Sequence, residues 1–100
     1  MATLTILCWR DIPVQVIAKA GRKNAKHVLS DRFQEAIDDA AMRSGARDED
    51  AYLAEWRRAE PIPCSPDLER EAARLAAQLE ADYTDERLAA LIAAGGREAR

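Results

Sequence analysis

Leu4-Thr5-Ile6-Leu7-Cys8-Trp9-Arg10-Asp11-Ile12-Pro13-Val14-Gln15-Val16-Ile17-Ala18 concentrates β-branched and bulky residues, and its reading decides the fold. It reads as two strands broken at Asp11-Ile12-Pro13. In the first, Leu4, Ile6 and Cys8 point one way and Thr5, Leu7 and Trp9 the other, because strand side chains alternate. Both sets are fairly apolar, as in a central strand. Pro13 has no N–H for a ladder, so it suits a strand start or an edge. Beyond it, Val14, Val16 and Ala18 form one face, and Gln15, Ile17 and Lys19 a more polar one. Gly21-Arg22-Lys23-Asn24 is a turn, since Gly and Asn tolerate positive φ. Lys26-His27-Val28-Leu29 is a candidate third strand.

The remainder reads as helical. Ser30 or Asp31 is a candidate N-cap, with Phe33, Ala36, Ile37, Ala40 and Ala41 at helical spacing and Gln34 placed for a capping box. Gly45 suits the position after a helix end. Asp48 starts a second helix, with Glu49 and Asp50 at its positive end and Tyr52, Leu53 and Trp56 on one face. Pro61 and Pro63 force an extended link. Ser65-Pro66 opens a third helix as N-cap and first residue, with Leu68, Ala72, Leu75 and Leu79 as its stripe. Thr84 can cap a fourth segment holding Leu88, Leu91 and Ile92. Gly95-Gly96 ends it, and Arg97–Arg100 should fray.

The expected fold is therefore α+β: a small antiparallel sheet, led by the hairpin, with three to four helices covering one face. One hundred residues make one domain. Residues 1–29 are its β-rich part, 30–60 hold two helices, 65–94 are helical and 95–100 form a tail. The core is expected to take Phe33, Ile37, Leu53, Trp56, Leu68, Leu75 and Leu79.

Net charge is −3, which argues against nucleic acid as the main partner. The charge is uneven. Residues 1–32 carry six Lys/Arg against two Asp, and residues 33–100 nine Arg against sixteen Asp/Glu. All three lysines, Lys19, Lys23 and Lys26, fall in one span with Arg22. No charged-then-apolar leader opens the chain and no apolar run approaches the ~20 residues of a membrane span. Two cysteines far apart do not suggest a disulfide framework. The expected location is the reducing cytoplasm, away from membranes.

Few residues suggest chemistry. Cys64, before the Ser65 cap, would feel the positive end of the third helix and gain thiolate character, which makes it the candidate reactive group. The alternative is a small apolar plug, since no base lies near it in sequence. Cys8 reads as core. His27 and two unpaired cysteines make a zinc site improbable. Asp38-Asp39 and Asp48-Glu49-Asp50 do not converge, because neighbours on a helix point about 100° apart. No calcium, phosphate or dinucleotide loop is present, and no cofactor is expected. The basic span is either an anion- or partner-binding patch or a solvated hairpin tip whose lysines block edge pairing. Two Trp-Arg pairs, Trp9-Arg10 and Trp56-Arg57-Arg58, combine residues enriched at binding hot spots. Trp56 reads as core, and Trp9 stays open between core and surface.

The order Trp9-Arg10-Asp11-Ile12-Pro13-Val14-Gln15-Val16, Arg32-Phe33 to Ala36-Ile37-Asp38, Asp50-Ala51-Tyr52-Leu53 to Glu55-Trp56-Arg57-Arg58, Ile62-Pro63-Cys64 and Arg87-Leu88-Ala89-Ala90-Leu91-Ile92 resembles the bacterial virulence factor domain family. The resemblance covers roughly residues 3–93. In larger relatives, the conserved virulence factor C-type proteins, a similar domain is joined to a NifU-N-like domain and HEAT repeats. Stand-alone members of this length occur in proteobacteria, some beside genes for folate- and corrinoid-dependent one-carbon enzymes. The resemblance implies no activity, catalytic residue or cofactor.

Three readings follow. The first is a non-catalytic accessory or adaptor subunit that binds another protein, for which the resemblance implies a one-carbon enzyme. The second is a module for a small anionic ligand at the basic tip. The third is a thiol-dependent enzyme or redox protein using Cys64. The expected partner presents an acidic surface or an anionic ligand to Trp9, Arg10, Lys19, Arg22, Lys23 and Lys26. Self-association is compatible with all three readings.

Overall fold

The computed structural model describes residues 1–45 and 48–97. Three strands open the chain: β1 (Ala2–Trp9), β2 (Ile12–Ala20) and β3 (Lys23–Val28). Helices α1 (Asp31–Arg43) and α2 (Glu49–Ala54) follow, then short strands β4 (Trp56–Arg58) and β5 (Ile62–Pro63), then α3 (Leu68–Asp82) and α4 (Asp85–Ala93). All pairings are antiparallel and the sheet order is β3-β2-β1-β4, with β5 also on β1. The expected frayed end beyond Arg97 lies outside the described residues.

The architecture is α+β with an open sheet, and β1 is its central strand. β4 and β5 lie end to end along the β1 edge that β2 leaves free. Ala59 N–H donates to the Ile6 carbonyl at 2.9 Å and Cys64 N–H to the Ala2 carbonyl at 3.0 Å, so the link between and after them is knitted to the same edge. This corrects the helix expected through Trp56. An uncovered edge on a central strand leaves main-chain groups unpaired, and Trp56-Arg57-Arg58 satisfies them in extended form. Trp56 is half-buried and Leu53 is 55% exposed, so neither is the core residue expected. Phe33, Ile37, Leu68, Leu75 and Leu79 are buried.

One face of the sheet is covered along most of its length. Ala2, Leu4, Val16 and Ala18 are buried there, and α3 lies against β2 and β3. A bulge between Leu7 and Cys8 leaves Val14 inserted in β2, so Leu7 pairs with Gln15 but Cys8 with Pro13. At this end both faces are closed: Cys8 and Trp9, on opposite sides of β1, are both buried.

Local signals position the helices unevenly. Asp48 accepts from Ala51 N–H at 2.8 Å and Thr84 from Arg87 N–H at 3.1 Å, as N-caps do. α3 starts at Leu68 after Asp67 instead of at Ser65-Pro66, because residues 62–64 are held to β1. Ser30 precedes α1 without capping it through its side chain, and Gln34 donates to Asp38 at 3.0 Å, so the capping box is absent.

Ser30 is used elsewhere. Its N–H and hydroxyl donate to Glu80 at 2.7 and 2.8 Å, and Arg32 Nη2 donates to the Glu80 carbonyl at 2.6 Å and its carboxylate at 3.1 Å. This ties the start of α1 to the end of α3. Burial pushes the Glu80 carboxyl up, but Ser30 and Arg32 outweigh it and hold the carboxyl below its ordinary value. A lowered folded-state value means a contribution that is complete above the unfolded carboxyl pKa and lost as pH falls through the folded one. Glu80→Gln should therefore cost roughly 1–2 kcal/mol at neutral pH, and the gap from wild type should close on acidification. Urea melts across the carboxylate range check this, and a gap independent of pH would contradict it.

Gly96 supplies a second test. At φ +91° a Cβ there would sit 2.9 Å from Trp9 Cζ3, whereas Gly21 at φ +60° has open space. Gly96→Ala should cost roughly 2–4 kcal/mol, strain plus overpacking, and Gly21→Ala only about 1 kcal/mol. Equal losses in denaturant melts would show that the Trp9 contact contributes nothing.

Candidate functional site

The register assigns each basic residue to a side of the sheet. On the face away from α3, three rows cross the strands. Val28, Gln15, Leu7 and Arg58 form the first, Lys26, Ile17 and Thr5 the second, and Asn24, Lys19, Thr3 and Pro63 the third. Lys19, Lys26 and Arg58 are exposed, and none of these strand positions is acidic. Val28 is 66% exposed, and Ile17 is half-buried without packing on the core. Ile17, Val28 and three cations therefore share one open surface on a chain of net charge −3.

The site residues expected from sequence separate into three groups. Lys19 and Lys26 belong to this surface. Arg22 lies in the tight turn, and Lys23 pairs with Ala20 on the side facing α3. Trp9 and Arg10 lie inside instead of on a partner-facing surface. Trp9 is 0% exposed and donates from Nε1 to the Tyr52 carbonyl at 2.9 Å. Arg10 donates from Nη1 to the Gly95 carbonyl at 2.7 Å and pairs with Glu55 at 3.4 Å.

Sequence reading missed Ile17 and Val28, and it singled out Arg58 beside Trp56 without placing it next to Lys19 and Lys26. Strand periodicity places Ile17 beside Lys19, but only the pairing of Leu7 with Arg58 brings in a residue 51 positions away. The two Trp-Arg pairs carried the usable signal: Trp9 and Trp56 are cross-strand partners.

Both thiols are pushed above the ordinary cysteine value. Cys64 is half-buried, three residues before the α3 N-cap, and desolvation and the Glu71 carboxylate push its thiol up despite Arg74. This runs against the expected thiolate character: α3 starts later, and burial first, then the Glu71 carboxylate, raise the thiol. Burial and Asp11 push Cys8 up as well, against Arg57. His27 is exposed on β3. Among the described residues no three His, Cys, Asp or Glu side chains cluster to hold a metal. No helix among them is long and apolar enough to cross a membrane.

These features define a small α+β domain with one sheet face closed by helices and the other left open and basic. The chain belongs to the virulence factor family, whose model matches residues 7–92. No curated protein and no solved structure matches it.

With both thiols protonated, iodoacetamide at neutral pH should alkylate Cys64 more slowly than free cysteine, and Cys8 only after unfolding. Cys64→Ser should leave the melting temperature unchanged. Fast alkylation of Cys64 in the folded protein would return it to the candidate nucleophiles.

Proposed function

We propose that this protein is a non-catalytic accessory subunit that docks an acidic protein surface on its open sheet face. The observation that carries the reading is the arrangement of Lys19, Lys26 and Arg58 around Ile17 and Val28, with no acidic residue at the strand positions of that face. A protein interface needs an apolar centre to bury and a polar rim to orient it. Opposite charge on the partner speeds encounter and rejects wrong partners more than it adds affinity. The remainder of the chain is acidic, so its other surfaces repel the same partner. The family resemblance adds the kind of partner, an enzyme of folate- or corrinoid-dependent one-carbon chemistry, and the two unpaired cysteines suit the reducing cytoplasm as the place of encounter. The upward push on both thiols weighs against the thiol-enzyme reading.

The test separates the face from the hairpin tip. Lys19, Lys26 and Arg58 exchanged together for Gln should slow association with the captured partner by roughly tenfold at low salt and flatten the salt dependence. Arg22→Gln with Lys23→Gln should change little. Both variants should melt like wild type. If the turn pair carries the whole effect, the site is the tip and an anionic ligand is the better reading. If neither variant changes the on-rate, the face is not a docking surface.

A further inference from the structure

The sheet ends on an open edge at β3. Among the described residues β3 pairs with β2 alone. Leu29 N–H donates to the Val14 carbonyl at 2.9 Å, and in an antiparallel ladder hydrogen-bonded pairs alternate with non-bonded ones. Counting back from Leu29, the residues bonded to β2 are His27, Ala25 and Lys23. Asn24, Lys26 and Val28 are therefore the positions whose N–H and carbonyl groups point away from β2. All three residues are exposed, so this row of main-chain groups meets solvent.

The two sides of this edge differ in chemistry. Toward the open face, Asn24, Lys26 and Val28 project from β3, with Lys19 across from Asn24. Residues 12–30 hold Lys19, Arg22, Lys23 and Lys26 and no Asp or Glu. A second copy of β3 would therefore meet like charge, whereas a carboxylate on an added strand meets opposite charge. Toward the helices, a cleft of about 430 Å³ opens between β3 and the start of α3. Ala25, Pro66 and Leu68 line it, and Ala25 packs against the core. Asp67 and Glu69 line it as well and disfavour a carboxylate on that side.

We propose that β3 takes an added antiparallel strand from its protein partner, an extended segment in which acidic residues alternate with β-branched apolar ones. Antiparallel addition continues the pairing of every strand in this sheet. The acidic residues lie opposite Asn24, Lys26 and Val28, bond to their outward N–H and carbonyl groups, and carry their side chains over the open face. The apolar residues between them enter the cleft beside Ala25. In such an addition the main-chain bonds give affinity and the alternate side chains give selectivity. The proposal rests on the docking reading above and adds the mode of contact.

The probe is the peptide acetyl-Glu-Val-Glu-Val-Glu-Val-amide, titrated into the full chain labelled with ¹⁵N and read by amide hydrogen exchange. At about ten times its Kd, the peptide should slow exchange at Asn24, Lys26 and Val28 by about tenfold and leave Ala25 and His27, already bonded to β2, unchanged. Methylating the three Glu nitrogens should abolish binding, and methylating the three Val nitrogens, which face away from β3, should not. Replacing Glu by Lys in the peptide, or Lys26→Glu in the protein, should weaken binding about tenfold, with the variant melting like wild type. Shifts at Ile17 and Lys19 without new protection on β3 would overturn strand addition and leave docking on the face standing. No binding, equal affinity for the Glu and Lys peptides, indifference to which nitrogens are methylated, or a dimer of the chain that the peptide dissociates would each overturn the proposal as well.

Discussion

The burial of Trp9 is the constraint on which the rest of the structure depends. A tryptophan at the end of a central strand, with no exposed surface, needs a cover on its ring and a partner for its indole N–H. Segments distant in sequence supply both. The Tyr52 carbonyl accepts the N–H and the Tyr52 ring stacks at 5.8 Å, while Gly96 approaches so closely that only a residue without Cβ fits. Arg10 reinforces the arrangement from a left-handed backbone at φ +53°, over the Trp9 ring at 4.7 Å. Its Nε is buried with no partner, a cost of about 1–3 kcal/mol that the bonds to Gly95 and Glu55 and the ring contact offset. Asp11 N–H donates to the Gly96 carbonyl at 2.9 Å, so the hairpin turn and the end of α4 are one unit.

This closure at one end explains why the sheet is asymmetric. Small residues, Ala2, Ala18 and Val16, let α3 approach one face closely. Toward the hairpin tip no helix is left to cover the other face, because α1 packs on α4 and α2 is only six residues long. That face keeps its polar and basic positions in water. Lys26 on β3, an edge strand, shields it from pairing with a second copy of this chain, and with Lys19 on β2 it supplies the positive field that a docking partner would meet.

Residues whose meaning is local were legible in the sequence. Asp48 and Thr84 cap helices, Gly45 and Gly95 follow helix ends at positive φ, and the alternation in Leu4–Trp9 and Val14–Ala18 marks the two main strands. Each rests on contacts within a few positions, where propensity and hydrogen-bonding chemistry act directly. Ser30 and Ser65 read just as clearly as caps, yet Ser30 makes no side-chain cap bond and Asp67 precedes α3, while the two serines donate to Glu80 and Glu71. Of the candidate site, the clustering of Lys19 and Lys26 was legible, but its division between two faces was not.

The sequence by itself determined the class, α+β with an N-terminal hairpin, the main helices, the bulk of the core and the segregation of charge. Tertiary structure alone decided that Trp56-Arg57-Arg58 is a strand and not a helix end, that Trp9 and Arg10 are interior, and that Arg58 joins Lys19 and Lys26. The physical reason is that each of these depends on residues distant in the chain: Tyr52, Gly95 and Gly96 close over Trp9 and Arg10, and Trp56-Arg57-Arg58 fills the open edge of β1. Its exposed N–H and carbonyl groups are satisfied only by residues about fifty positions away, and no local pattern in the chain records which segment will reach them first.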